Sequence, residues 1–139
     1  MRPTWCRRTI TGMSDTTTTH VADMIAAARS SIENLDPAAA VRELQTGDAL
    51  FVDIREAAEL DVSGTIPGAV HAPRGMLEFH ADPASPYHMD ALDPERRTIL
   101  FCASGGRSAL AAETLQRMGY RNVAHIDGGY TAWHAVGTG

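Results

Sequence analysis

The chain has no lysine; all twelve of its basic residues are arginines. That excludes Schiff-base chemistry on a lysine amine. Only two cysteines occur, Cys6 and Cys102, so at most one disulfide can form, and a chain of 139 residues buries a core without one. A free Cys102 in a reducing, cytoplasmic setting is the expectation. No C-x-x-C or paired Cys/His spacing is present. His71, His80 and His88 are scattered over a Pro- and Asp-rich stretch, so neither a metal site nor a cofactor is expected. No apolar run approaches the ~20 residues of a membrane-spanning helix, and no internal repeat is visible. The first fourteen residues lack acids, and Arg2, Arg7 and Arg8 lie among them. From Met13 onward nine arginines face seventeen acids, about −8 against −5 for the whole chain. Without a basic patch, neither nucleic acid nor a membrane surface is an expected partner.

Residues 1–19 carry no apolar period and end in four threonines. They have no apolar segment of the secretory type. They read as a disordered N-terminal extension, with Met13 as the alternative start, and residues 20–139 as one domain. Val21 to Ile32 places Val21, Met24, Ile25, Ala28 and Ile32 on one helical face. Asp36-Pro37 is a cap residue followed by proline at the first helical position, and Gly47 ends that helix. The runs 49–53 (ALFVD), 69–72 (AVHA), 98–102 (TILFC) and 122–126 (NVAHI) read as strands. Between them lie short helices over 55–60 and 74–82, a loop with a little helix over 82–97, and a helix over 107–118 ended by Gly119. A last helix follows the Gly128-Gly129 turn. Strands apolar on both faces, alternating with helices, predict an α/β domain with a central, mostly parallel sheet covered on both faces.

The chemically informative stretch is TILFC-ASGGRS-ALAAETLQRMG. A buried strand ends at Cys102, a glycine-rich loop follows, and a helix begins near Arg107. In open α/β sheets, ligands bind at the carboxyl ends of strands. Gly105 and Gly106 let the loop curl with its N–H groups inward, as an anion-binding nest. The helix aims its positive end at the same point, and Arg107 adds a full charge. All three favour thiolate over thiol, and a thiolate is a nucleophile. A cysteine ending an apolar strand is otherwise most often a small buried hydrophobe; the loop decides for the nucleophile. No histidine lies near the loop in sequence, so a Cys–His couple has no local support and activation must be electrostatic.

Three segments, FVDIREAAELDVSGTIPGAVHAP (51–73), ILFCASGGRSALAAETLQRMGY (99–120) and NVAHIDGGYTAW (122–133), make the chain resemble a single-domain rhodanese. The resemblance implies the same α/β fold. It implies a sulfurtransferase in which Cys102 takes a sulfane sulfur from thiosulfate or a persulfide and passes it to cyanide, a thiol or an acceptor protein. Ala103, Ser104, Gly105, Gly106 and Arg107 match the loop that cradles the persulfide. Asp53 and Arg55 match an Asp-x-Arg pair with a bracing role; alternatively Asp53 caps the helix at 55–60. Arg74, near Glu78, follows the second strand and is either a donor-binding residue or a solvated surface arginine. Tyr130 and Trp133 read as packing under the last helix.

Two other readings remain. Phosphatases and arsenate reductases of this fold place five residues between Cys and Arg, where this chain has four between Cys102 and Arg107. The smaller ring suits one sulfur atom rather than a phosphate, and no general-acid aspartate lies in the loop. A non-catalytic sensing or docking module would not need Cys102 at all.

Overall fold

The computed structural model describes residues 18–137. Most of the extension expected over 1–19, and Cys6 with it, lies outside them. The first helix, α1 (Val21–Ser31), leads into a short strand β1 (Glu33–Leu35). Helix α2 (Pro37–Thr46) follows, its first turn capped by the Asp36 carboxylate accepting from Ala38 N at 2.9 Å. Gly47, at φ +79°, turns the chain into β2 (Leu50–Asp53). Then come α3 (Ala57–Ser63), β3 (Val70–His71), a 3₁₀ turn (Arg74–Met76) running into α4 (Leu77–Ala81), and β4 (Thr98–Phe101). The chain closes with α5 (Gly106–Arg117), β5 (Val123–Ile126) and α6 (Gly129–Gly137).

The five strands form one sheet in the order β1-β5-β4-β2-β3, every pairing parallel. Strand alternation divides the core into two layers. Leu50, Val52, Leu100 and Cys102 point to one face, against Leu77 of α4 and Ala111, Ala112 and Leu115 of α5. Phe51, Ile99, Phe101, Ala124 and Ile126 point to the other, against Ala40 of α2 and Tyr130 and Trp133 of α6. Each fully buried aliphatic side chain adds roughly 1.5–3 kcal/mol of transfer free energy. The predicted α/β architecture, with helices on both faces of a parallel sheet, is the one observed.

Three local expectations are corrected. Strand β1 is absent from the sequence reading because only Leu35 of its three residues is buried, too little for an apolar run. The short helix begins at Ala57, not at residue 55, and its cap is Glu56 rather than Asp53. Glu56 and Glu59 cap each other's backbone reciprocally, while Asp53 is committed elsewhere. The segment 82–97 holds turns and no helix: Asp82 and Asp93 each accept from the backbone two residues on, and buried Leu92 anchors the stretch.

Candidate functional site

Cys102 directly follows β4, at the carboxyl end of the sheet and beside the N-terminus of α5. It is 1% exposed, and Gly105 N donates to its sulfur at 3.1 Å. Gly105 makes the loop possible. Its φ is +109°, and a Cβ there would lie 3.3 Å from Gly128 N. Gly106 has an ordinary backbone; it matters because a Cβ would come within 3.3 Å of Ile25 Cδ1 on α1. No side chain caps α5, so its first N–H groups remain available to an anion.

The loop's carbonyls point the other way. Tyr130 N donates to Cys102 O at 2.7 Å and Thr131 N to Ala103 O at 3.1 Å. The start of α6 therefore binds the loop's oxygens, and its amides are left for the sulfur. Gly129, at φ +66°, allows this approach: a Cβ there would stand 2.6 Å from Ala103 O and Cys102 O. The Gly128-Gly129 turn is thus part of the loop's support.

Burial pushes the Cys102 thiol up, but hydrogen bonding at the sulfur, including that from the Ser108, Gly105 and Ser104 N–H groups, outweighs it. The net direction is down. Arg107 is not a free cation. Its guanidinium donates to both Glu59 oxygens, at 2.8 and 2.9 Å, so much of its charge is matched. The Arg107 pair, the Glu56 N–H and, more weakly, Arg55 hold Glu59 down at about 2 against the push of burial. Glu59, forty-eight positions from Arg107 in sequence, could not be linked to it from spacing.

Arg55 is 3% exposed. It grips Asp53 with Nε at 3.0 and 3.1 Å and Nη2 at 2.7 Å, and reaches Ser63 Oγ and Gly64 O at 2.8 Å. Asp53 also accepts from Arg55 N and Thr65 Oγ1. The guanidinium lies 4.4 Å above the Tyr130 ring. Arg74 pairs with Glu78 at 2.9 Å and turns toward Thr114, 3.5 Å away. Thr114 is six residues along α5 from Ser108, about 9 Å by helical rise, so this contact directs Arg74 along the helix rather than at its N-terminus. An open groove of about 700 Å³ runs beside the loop, lined by Arg55, Glu59, Val62, Ala103, Tyr130 and His134 among others.

One group near Cys102 escaped the sequence reading. His125, fully buried, has Nδ1 2.8 Å from Ser108 Oγ, whose own oxygen is 3.6 Å from the sulfur. A polar residue on the inward face of an otherwise apolar strand must have a partner, and that was the available signal.

The fold and site together define an α/β domain with a buried cysteine held in a glycine loop at the carboxyl edge of a parallel sheet. Comparison with known proteins narrows it: the Rhodanese-like domain family model matches residues 36–136. The chain belongs to that family. A sulfurtransferase of Allochromatium vinosum is 35% identical over 92 residues, 66% of this chain and 78% of its own length. Among solved structures, a Rhodopseudomonas palustris protein of unknown function, described as a possible tyrosine phosphatase, superposes with a TM-score of 0.83 at 44% identity. That match covers 91% of this chain and 97% of the other. A human single-domain sulfurtransferase superposes with a TM-score of 0.63 at 28% identity, covering 73% and 95%. The sulfurtransferase relatives support a rhodanese-type enzyme.

Proposed function

We propose that the protein moves a sulfane sulfur from thiosulfate or a persulfide to cyanide or a thiol, through a persulfide on Cys102. The observation that carries this reading is the Gly105 N–H donating to the Cys102 sulfur at the uncapped start of α5. The Cys102 thiolate attacks the outer sulfur of thiosulfate. A new S–S bond forms, the old one breaks, and its electron pair leaves with sulfite. The terminal sulfur, now anionic, is held by the amides of residues 103–107. Cyanide or a thiolate then bonds to that sulfur, and the S–S pair returns to Cys102 as thiolate. Two easier displacements replace one direct transfer, and no net proton or electron is consumed.

The groove beside Ala103 gives donor and acceptor an approach, with Arg107 as the candidate anion contact and Asp53–Arg55 as the brace beneath; Arg74, held by Glu78 and turned toward Thr114, points away from it. Cys102 is free and buried, which suits a reducing, cytoplasmic compartment in which the thiolate is regenerated each cycle. Among the described residues no helix is long and apolar enough to cross a membrane.

The phosphatase description of the R. palustris relative calls for a direct comparison. Four residues between Cys102 and Arg107, against the five of the phosphatase loops, leave room for one sulfur rather than for a phosphate with its oxygens. Turnover of aryl phosphates should be negligible. The decisive experiment is mass spectrometry of the Cys102 peptide after incubation with thiosulfate or a low-molecular-weight persulfide. One added sulfur, removable by a reducing thiol, is expected, with parallel-line ping-pong kinetics and no turnover in Cys102→Ser. An absent adduct, or a Cys102→Ser variant that still turns over, overturns the reading in favour of a docking module.

A further inference from the structure

Behind the loop, four polar side chains stand in line. Cys102 Sγ lies 3.6 Å from Ser108 Oγ, Ser108 Oγ 2.8 Å from His125 Nδ1, and His125 Nε2 2.8 Å from Asn34 Oδ1. Cys102, Ser108 and His125 are buried, while Asn34 is exposed. Sheet register builds the line. In the parallel pairings Asn34 of β1 stands opposite His125, and His125 opposite Leu100, two residues before Cys102 on the same face.

Asn34 decides where the protons sit. Its Nδ2 donates to the carbonyl oxygens of Arg29 and Ile32, at 2.9 and 3.3 Å, so Oδ1 is the atom facing the imidazole. A carboxamide oxygen only accepts. The imidazole proton therefore resides on Nε2, and Nδ1 of the neutral ring is a bare acceptor. The Ser108 hydroxyl has one proton and three claimants: His125 Nδ1 at 2.8 Å, Gly105 O at 3.4 Å and the Cys102 sulfur at 3.6 Å. The imidazole is the nearest.

We propose that His125, oriented by Asn34, is a positioning residue that holds the Ser108 hydroxyl proton away from Cys102 and thereby sets the acidity of the nucleophile. The inference rests on the reading of Cys102 as that nucleophile. With its proton turned to the imidazole, Ser108 offers the sulfur a lone pair. It accepts from S–H and so restrains ionisation, leaving the loop amides alone to favour thiolate. In the persulfide the Cys102 sulfur carries no proton, Ser108 stays bonded to His125, and the outer sulfur belongs to the amides. The charged groups facing this line are few. Arg107 of α5, with Glu59 of α3 paired to it, faces the sulfur. Arg29 of α1 and Asp127 after β5 face the imidazole, paired with each other. Burial first, then Arg29, pushes His125 down to about 4, so the bare Nδ1 is the state present at neutral pH.

The test is peptide-resolved alkylation of Cys102 by iodoacetamide against pH, on the full chain. Removing the competing acceptor in His125→Leu releases the hydroxyl to donate to the thiolate. The midpoint should fall by roughly 0.5–1 pH unit, a three- to tenfold gain in thiolate below it. Because a buried substitution can prevent folding, Asn34→Asp at the exposed end provides an isosteric second variant. Its carboxylate stabilises a second proton on the ring; Nδ1–H then donates to Ser108, whose hydroxyl must turn to the sulfur. The midpoint should again fall, and the imidazole ¹⁵N shifts should move from the Nε2–H tautomer to the imidazolium pattern. An unchanged or raised midpoint in the folded variants, or an Nδ1–H tautomer in the unmodified protein, overturns the proposal. Alkylation requires no sulfur donor, so a failure of sulfur transfer itself would be recorded separately, as a missing persulfide with these midpoints intact.

Discussion

Two arginine–carboxylate forks stand at the carboxyl end of the sheet and differ in nearly everything but chemistry. In the Asp53–Arg55 pair the side chains are 3% exposed or less, and further hydrogen bonds to Ser63, Gly64 and Thr65 tie the pair into its surroundings. The Glu59–Arg107 pair has similar distances, but its side chains are 34% and 41% exposed. A buried, fully partnered ion pair holds architecture, because losing one member strands the other charge. A half-exposed pair is worth little to stability and is free to exchange its partner for a ligand. We infer that burial, rather than hydrogen-bond length, separates brace from site.

The sharpest way to break that contrast is Arg55→Ala. It leaves Asp53 buried with an uncompensated charge and removes the cation above Tyr130. We expect a loss of about 3–5 kcal/mol in denaturant unfolding. Arg55→Lys should recover little, since an ammonium cannot reproduce the planar fork. A folded Arg55→Ala protein within 1 kcal/mol of the parent, a threshold set by the usual worth of surface pairs, would place Arg55 in the same class as Arg107.

Acid sharpens the contrast between interior and rim. His125 sits at about 4 in the folded protein because of burial and, secondarily, Arg29, whereas an unfolded histidine takes its proton near 6.5. Between these values the unfolded chain binds more protons, so stability falls as pH falls through the window, by up to ~3 kcal/mol. Glu59, held at about 2 mainly by Arg107, contributes stability above the ordinary carboxylate range and loses it only as pH falls toward 2. Unfolding followed from pH 7 to 4 should therefore flatten in His125→Leu and keep its slope in Glu59→Gln. An equal slope in both variants would show that His125 does not govern the window.

These assignments also show what a linear reading can reach. The strand ending at Cys102, the glycine loop and the following helix are contiguous, so the turn at Gly105 and the cysteine's place beside the start of α5 were legible. So was the parallel sheet, because β2, β4 and β5 are apolar on both faces. The partners of the loop were not. Glu59 reaches Arg107 only because α3 packs beside the loop, and His125 reaches Ser108 only through the register of β5 against β4. β1 was missed for a related reason: three residues with one buried side chain carry no periodicity, yet their register places Asn34 against His125. Asp53 offered two readings, a partner for Arg55 and a helix cap; its carboxylate binds Arg55, and Glu56 caps α3.

The rim pair supplies the subtlest prediction, because its two members should act in opposite directions. Arg107→Ala removes the cation beside the loop and leaves Glu59 unopposed. KM for thiosulfate should rise about tenfold, equivalent to ~1.4 kcal/mol, with stability changed by less than about 1 kcal/mol. Glu59→Gln does the reverse. The amide oxygen can still accept from Glu56 N, the contact that Glu59 Oε2 makes at 2.9 Å, so the start of α3 is retained. The negative charge is gone, and Arg107 faces the loop uncompensated. A more positive site favours anionic donors in proportion to their charge. KM should fall roughly threefold for dianionic thiosulfate and by about the square root of that factor for a monoanionic thiosulfonate. Both gains should shrink as salt is raised, since the pair is exposed enough to be screened. Steady-state kinetics with the two donors at low and high salt decide the matter. Equal changes for both donors, insensitive to salt, would mean that Glu59 acts by placing α3 rather than by its charge, and the rim pair would then be a second brace.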